Sequence, residues 1–230
     1  PGRTDPGAAV AAAHHLLLGH GLAVDALRAR LRPDAEVGIT LNPYPVVPAA
    51  SDAGEPPTDR DRDAVRRIDG LANRLWYDPV LRGRYPEDVL DDLRAVSDLA
   101  HIRDGDLAQI ARPIDALGVN YYRRYHVRYE PGASAPPSEW PGSPDVHVDG
   151  HETSAPTTAN GWRVEPAGLT EALVRLARDY DPPPVYVHES GGAFDDEPDA
   201  QGRVDDRARI RYLDAHLRAG LDAIAAGVAL

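Results

Sequence analysis

Cysteine, methionine and lysine are all missing from this sequence of 230 residues. Without cysteine there is no disulfide framework, no thiolate nucleophile and no Cys-ligated zinc. Without methionine the chain has no initiator, so we expect a piece of a longer protein that begins in mid-sequence at Pro1. Without lysine, all 25 basic residues are arginine, which with the abundant Ala, Gly, Pro and Asp reflects a GC-rich coding sequence and not an activity. Positive charge is in deficit, 25 − 37 = −12. That balance argues against a nucleic-acid partner or an anionic membrane, both of which reward surplus basic side chains. No apolar run approaches the ~20 residues of a membrane span, and no charged-then-apolar signal peptide opens the chain, so a cytoplasmic compartment is expected. Hydrophobic residues at 42% suffice for a buried core.

Helix-like and strand-like segments alternate, the pattern of a parallel α/β fold. A first helix is predicted over about residues 6 to 31, stopped by Pro33. The short apolar run Val37–Leu41, ended by Asn42 and Pro43, reads as a buried parallel strand. A Pro-rich loop reaches about Pro57, and a helix over 61–74 carries Val65, Ile68, Leu71 and Leu75. Residues 76–86 read as a turn-rich connection and 87–99 as a short helix. A second strand runs through 114–122, followed by a Pro-, Gly- and Ser-dense stretch at 129–160 that reads as a cleft wall or as disorder. A helix over 168–180, a third strand at 185–188 closed by Glu189, and a last helix over about 205–226 complete the chain. That last helix is expected to bury Ile210, Leu213, Leu217, Leu221 and Ile224. Three strands cannot close a (β/α)8 barrel, which needs eight strands and typically ~250 residues. We see no internal repeat and no second domain.

In parallel α/β folds ligands lie beyond the carboxyl ends of the strands. The polar residues there are Asn42, Asn120 with Tyr122, and Glu189 with His188. Amides, a phenol and a carboxylate on one rim suit a polyhydroxylated substrate, because amides both donate to and accept from hydroxyls and a carboxylate can attack or deprotonate. The same residues can equally cap the turns that follow the strands. His14, His15 and His20 lack the i, i+4 spacing of a helical zinc site and read as packing residues. Asp59, Asp61 and Asp63 lack the Gly and Glu of a calcium loop and read as a solvated helix start. No metal and no cofactor is expected.

The stretch Tyr186-Val187-His188-Glu189-Ser190-Gly191-Gly192 resembles the nucleophile motif of glycoside hydrolase family 1, the β-glucosidase family. Further blocks resemble that family in the same order: His14–Gly21 with Val37–Asn42, Asp69-Gly70 through Arg82–Pro86, Leu117–Tyr122, and Gly161-Trp162-Arg163-Val164. The resemblance covers the whole chain and implies strands five to seven of a (β/α)8 barrel: an incomplete TIM barrel of three parallel strands with flanking helices, in one partial domain spanning 1–230. It implies that Glu189 attacks the anomeric carbon of a terminal β-D-glucosyl residue with retention. It further implies that Tyr122 hydrogen-bonds that nucleophile, that Asn42 and Asn120 line the rim, and that Trp162 offers a face to the aglycone of a small β-glucoside or oligosaccharide.

The departures are as informative. The family's Thr-x-Asn-Glu-Pro motif, which carries the acid/base, does not occur here, and His188 and Ser190 stand where Thr and Asn are usual. A nucleophile without its proton donor implies a chain inactive by itself. Other readings stay open: a non-catalytic relic or weak sugar-binding remnant, and a β-galactosidase or 6-phospho-β-glycosidase of the same family. An open three-strand sheet also predicts self-association through its edges, with Val37, Ile39, Val119 and Val187 needing cover.

Overall fold

The structure, a computed structural model, describes residues 4–50, 55–132, 139–149 and 156–230. Helix α1 (Pro6–Arg28) starts as its sequence dictates: the Asp5 carboxylate accepts from the Gly7 and Ala8 amides, and Pro6 takes the first helical position, where its missing N–H costs nothing. By length and composition α1 reaches what a membrane crossing needs, contrary to the expectation from the sequence. Its Ala, Leu and Val outweigh the His and Gly that interrupt the run. Here one of its faces is buried, through Val10, His14, Leu17, Gly21 and Val24.

Strands β1 (Gly38–Leu41), β3 (Ala116–Tyr121) and β6 (Val185–Ser190) form one parallel sheet in the order β1-β3-β6. This is the expected set of three strands with flanking helices; they do not curl into a closed barrel. Alternate side chains divide the sheet into two unlike faces. Leu41, Leu117, Val119, Tyr121 and Val185 enter one core cluster with Leu169, Leu173 and Leu176 of α6 (Pro166–Tyr180) and Ala219 and Ala223 of α7 (Arg207–Ala225). The other face carries Gly38, Thr40, Gly118 and His188 and is largely open. Val119, Ile39 and Val187, three of the four side chains expected to need cover, thus have it in the cluster shared with α6 and α7. Val37 and Val119 are buried, and Ile39 and Val187 pack at the margin of the cluster.

Three further expectations fail for physical reasons. Helix α2 (Asp59–Asp69), whose first turn is a Thr58–Asp61 capping box, runs through a π turn (Gly70–Arg74) into α3 (Leu75–Arg82). The stretch expected to be turn-rich is thus largely helical with Pro79 inside it, because burying Leu75, Tyr77 and Val80 outweighs the proline's cost. A second sheet joins β2 (Val46–Pro48) in the first loop, β4 (Tyr125–Tyr129) just ahead of the 129–160 stretch and β5 (Val146–Asp149) within it, with β2 parallel and β5 antiparallel to β4. Within 129–160 the strand residues of this sheet are Tyr129 and Val146–Asp149; 133–138 and 150–155 lie outside the described residues. The predicted helix at 87–99 is shorter, α4 (Glu87–Leu93), and a short α5 (Asp106–Ile110) precedes β3.

The third failure is the face of α7. Tyr212, His216, Ala219 and Ala223 are buried, whereas Leu217 is 71% and Ile210 61% exposed, with Leu213, Leu221 and Ile224 exposed beside them. Both faces have helical spacing, so periodicity cannot choose between them. The small Ala219 and Ala223 let α7 approach α6, where Thr170 Oγ1 donates to the Ala219 carbonyl at 2.8 Å. Among the described residues nothing covers the leucine face.

Of the three α1 histidines expected to pack, His14 does so fully, His20 is partly buried and His15 is exposed. His14 is buried with one ring nitrogen 3.0 Å from the Tyr85 hydroxyl and the other 3.0 Å from Asp106 of α5.

Candidate active site

The site is set by an irregularity in pairing. Along β3 and β6 the register runs Leu117 with Val185, Gly118 with Tyr186 and Val119 with Val187, and then jumps to Asn120 with Glu189. His188 is the extra residue of a β-bulge, a device that re-aims side chains near functional sites. As a result His188 and Glu189, although adjacent, both serve the open face. The His188 Nδ1 lies 2.7 Å from Thr40 Oγ1, bridging from β6 to β1 across the intervening β3. The bridge crosses directly over Gly118, where a Cβ would stand 2.3 Å from Thr40 Oγ1 and 2.6 Å from His188 Nδ1. Only glycine leaves that room.

At the carboxyl end of β3 the Tyr122 hydroxyl donates a short hydrogen bond to Glu189 Oε2. Burial, the hydrogen bond to Glu189 and that residue's charge push the Tyr122 hydroxyl up to about 12, so it stays protonated and donating through the neutral range. Asn120 stands directly opposite Glu189 in the register, and its amide oxygen is buried without a hydrogen-bond partner. An unsatisfied buried acceptor costs about 1–3 kcal/mol unless a donor such as a hydroxyl reaches it. Asn42 lies just past β1, exposed, one strand over and level with Asn120. The Trp162 ring sits 5.7 Å from that of Tyr122. Its loop is pinned to the segment after Glu189: Thr158 N donates to the Trp162 carbonyl and Ala159 N to Ala193 O, both at 2.8 Å.

The structure thus brings Glu189, Tyr122, Asn120 and Trp162 together, with Asn42 at the edge of the group. Four participants are invisible in the strand-end reading. Tyr44 stacks on Tyr125 at 4.2 Å and 6°, and Arg123 lies 5.0 Å over Tyr125 and 5.4 Å over Trp162. The position of Arg123, immediately after a strand-end tyrosine, was the one signal available. Asn73, on the π turn, fixes Tyr44 by accepting from its amide at 2.9 Å and donating to its carbonyl at 2.7 Å. Behind this clamp, away from Glu189, a cavity of about 60 Å³ is lined in part by buried Tyr77, whose hydroxyl has no hydrogen-bond partner among the described residues. It has room for water.

The whole chain, residues 1–230, matches the family model described as glycosyl hydrolase family 1. The chain belongs to that family. It is 43% identical to the thermostable beta-glucosidase B of Thermobispora bispora, over 99% of this chain and 45% of that protein. Among solved structures, the psychrophilic beta-glucosidase from Micrococcus antarcticus superposes with a TM-score of 0.85 at 40% identity, covering 99% of this chain and 49% of that one. The beta-glucosidase from Thermotoga maritima in complex with deoxynojirimycin gives 0.84 at 35%, covering 100% and 48%. The chain therefore spans about half the length of the relatives it matches. For a glycosyl hydrolase family 1 chain the three-strand sheet is part of a TIM-barrel arrangement, and its open polar face is the one toward the barrel interior.

Proposed function

We propose that this chain carries the nucleophile of a retaining β-glucosidase, and that Glu189 is that nucleophile. Its Oε attacks the anomeric carbon of a β-glucoside, the bond from that carbon to the aglycone oxygen breaks, and the leaving oxygen takes a proton from a second carboxyl group ~5–5.5 Å away. The observation that carries the reading is the Tyr122 hydroxyl donating to Glu189 at the bulged end of β6, opposite the unsatisfied amide of Asn120. An alkoxide leaves poorly without protonation, and no Thr-x-Asn-Glu-Pro stretch occurs in these residues. We therefore assign the acid/base to the remainder of a protein about twice this length and expect the 230 residues alone not to hydrolyse cellobiose.

The test uses a leaving group that needs no proton. Incubation with 2,4-dinitrophenyl 2-deoxy-2-fluoro-β-D-glucopyranoside should leave one fluoroglucosyl group on the peptide that contains Glu189, located by tandem mass spectrometry. An adduct on any other residue, or none after prolonged incubation, removes the reading. Its rival is a sugar-binding chain without chemistry, favoured by the exposure of Glu189. That rival predicts binding without an adduct.

Tyr122→Phe removes one hydrogen bond to a charged acceptor. Such bonds contribute about 1.5–3 kcal/mol, so the adduct should form about tenfold more slowly, or slower still. An unchanged trapping rate would mean that Tyr122 does not assist Glu189.

We also propose that the isolated chain self-associates. The outer edges of β1 and β6 and the leucine face of α7 leave pairing groups and apolar surface to solvent. Light scattering should give a mass above 24.9 kDa that falls to the monomer value in Leu217→Glu/Leu221→Glu.

A further inference from the structure

A cation without a counter-charge stands on the aglycone side of Glu189. Arg123 is half-buried, its guanidinium lies over the rings of both Tyr125 and Trp162, and among the described residues no carboxylate pairs with it. The contrast within the chain is sharp. Its neighbour Arg124 is engaged by Glu165 and Glu171, and Arg66, Arg67, Arg74 and Arg175 are each shared between aspartates. Arg30, Arg60, Arg84, Arg103 and Arg211 also have no carboxylate partner among the described residues, but all five are exposed, whereas Arg123 is half-buried against Tyr125 and Trp162, with a hydrogen bond to the Tyr125 side chain.

The surroundings define what such a group would take. The Tyr44 and Tyr125 rings stack at 4.2 Å, Arg123 continues the stack to Trp162, and Trp162 contacts Tyr122, which holds Glu189. The aromatic surface therefore runs outward without a break from the sugar-binding end. Aromatic faces favour a planar ring. A guanidinium has five N–H donors, so the one hydrogen bond to Tyr125 leaves others in the plane, and that planar fork matches a carboxylate.

We propose that Arg123 is a specificity-determining residue that selects β-glucosides with a carboxylate-bearing aromatic aglycone. The inference rests on the glucosidase reading of the Glu189 site. The simpler role, a plate that props Trp162, predicts no preference between charged and neutral aglycones.

Isothermal titration of the 230-residue chain with a matched pair separates these. The probes are 4-carboxyphenyl and 4-carbamoylphenyl β-D-glucopyranoside, of nearly the same shape and differing in charge. The carboxylate should bind about fivefold more tightly, as expected for a partly exposed ion pair. In about 1 M NaCl, where the screening length is ~3 Å, the preference should collapse. Arg123→Gln should bring the ratio of the two affinities to one, and Arg123→Lys, which keeps the charge and loses the fork, should restore part of it. Equal binding of the two probes to the unaltered chain, or a preference that survives Arg123→Gln, overturns the role of Arg123 and leaves the glucosidase reading intact. Failure of both glucosides to bind the unaltered chain overturns both. If Arg123→Gln does not fold, the salt titration of the unaltered chain decides by itself.

Discussion

If Glu189 is the nucleophile we propose, Glu189→Gln should abolish covalent trapping by the fluoroglucoside, and within a longer protein that also holds the acid/base it should lower turnover by about 10⁴-fold or more, the scale on which removing a covalent nucleophile acts. The amide is close to the carboxylate in size and can still accept from the Tyr122 hydroxyl, so the contact across β3 and β6 survives. What disappears is the negative charge that, on the proposed reading, attacks the anomeric carbon. Because Glu189 is exposed and lies at the end of its strand, the change leaves the core cluster untouched, and the melting temperature should stay within a degree or two of the parent. Loss of the adduct at unchanged melting temperature isolates the chemistry from the fold. An adduct formed at the parent's rate in Glu189→Gln would assign the nucleophile elsewhere. The charge-removing but nearly isosteric change also discriminates against a purely binding site, in which an amide would hold sugar hydroxyls as well as a carboxylate does.

Gly21→Ala is the second large effect, and it acts on the scaffold. A Cβ at Gly21 would stand 1.9 Å from the Gln109 carbonyl oxygen and 2.6 Å from its carbon. Those atoms are backbone of α5, so the clash cannot be relieved by a rotamer change, and α1 has to lift from α5. The same contact region holds the His14–Asp106 pair and the 2.8 Å hydrogen bond from Gln109 to Asp25, which the lift would stretch together. We expect a loss of about 3 kcal/mol, the upper part of the range for overpacking. Gly19 supplies the control within the same helix. It has nothing within 4 Å of its would-be Cβ, so Gly19→Ala should gain about 0.5–1 kcal/mol from helix propensity alone. Urea denaturation midpoints moving in opposite directions for the two variants would establish the α1–α5 contact. A neutral Gly21→Ala would remove it.

How much of this was legible beforehand depends on what kind of information each feature needs. The three parallel strands were legible because a short apolar run ending in a polar residue is a local signal. The same signal pointed to Glu189, Asn120 and Tyr122, since strand ends are where such folds bind ligands. Features that depend on a partner were not legible. Val46–Pro48 forms a strand because β4 lies beside it, and nothing in three residues could say so. Pro79 sits inside a helix because Tyr77 and Val80 have a core to enter. Helix α7 has two faces of equal periodicity, and the choice was made by the close approach to α6 that Ala219 and Ala223 permit. Arg123 escaped notice because its meaning lies in two rings, one of them Trp162 from a loop far along the chain.

The bulge at His188 has a consequence for any rule of alternation applied to this strand. Ahead of it the odd-numbered residues, Val185 and Val187, turn to the helices. Beyond it the even-numbered Ser190 meets Tyr212 of α7, while Glu189 turns inward beside Asn120. The strand thus changes parity in mid-course. A variant library that assigns inner and outer positions by a single odd–even rule would treat the carboxylate as core and randomise it with the aliphatics. Loss of His188 would restore a single parity with Glu189 still turned inward opposite Asn120, whereas a strand that kept all its residues but lost the bulge would turn the carboxylate toward the helices.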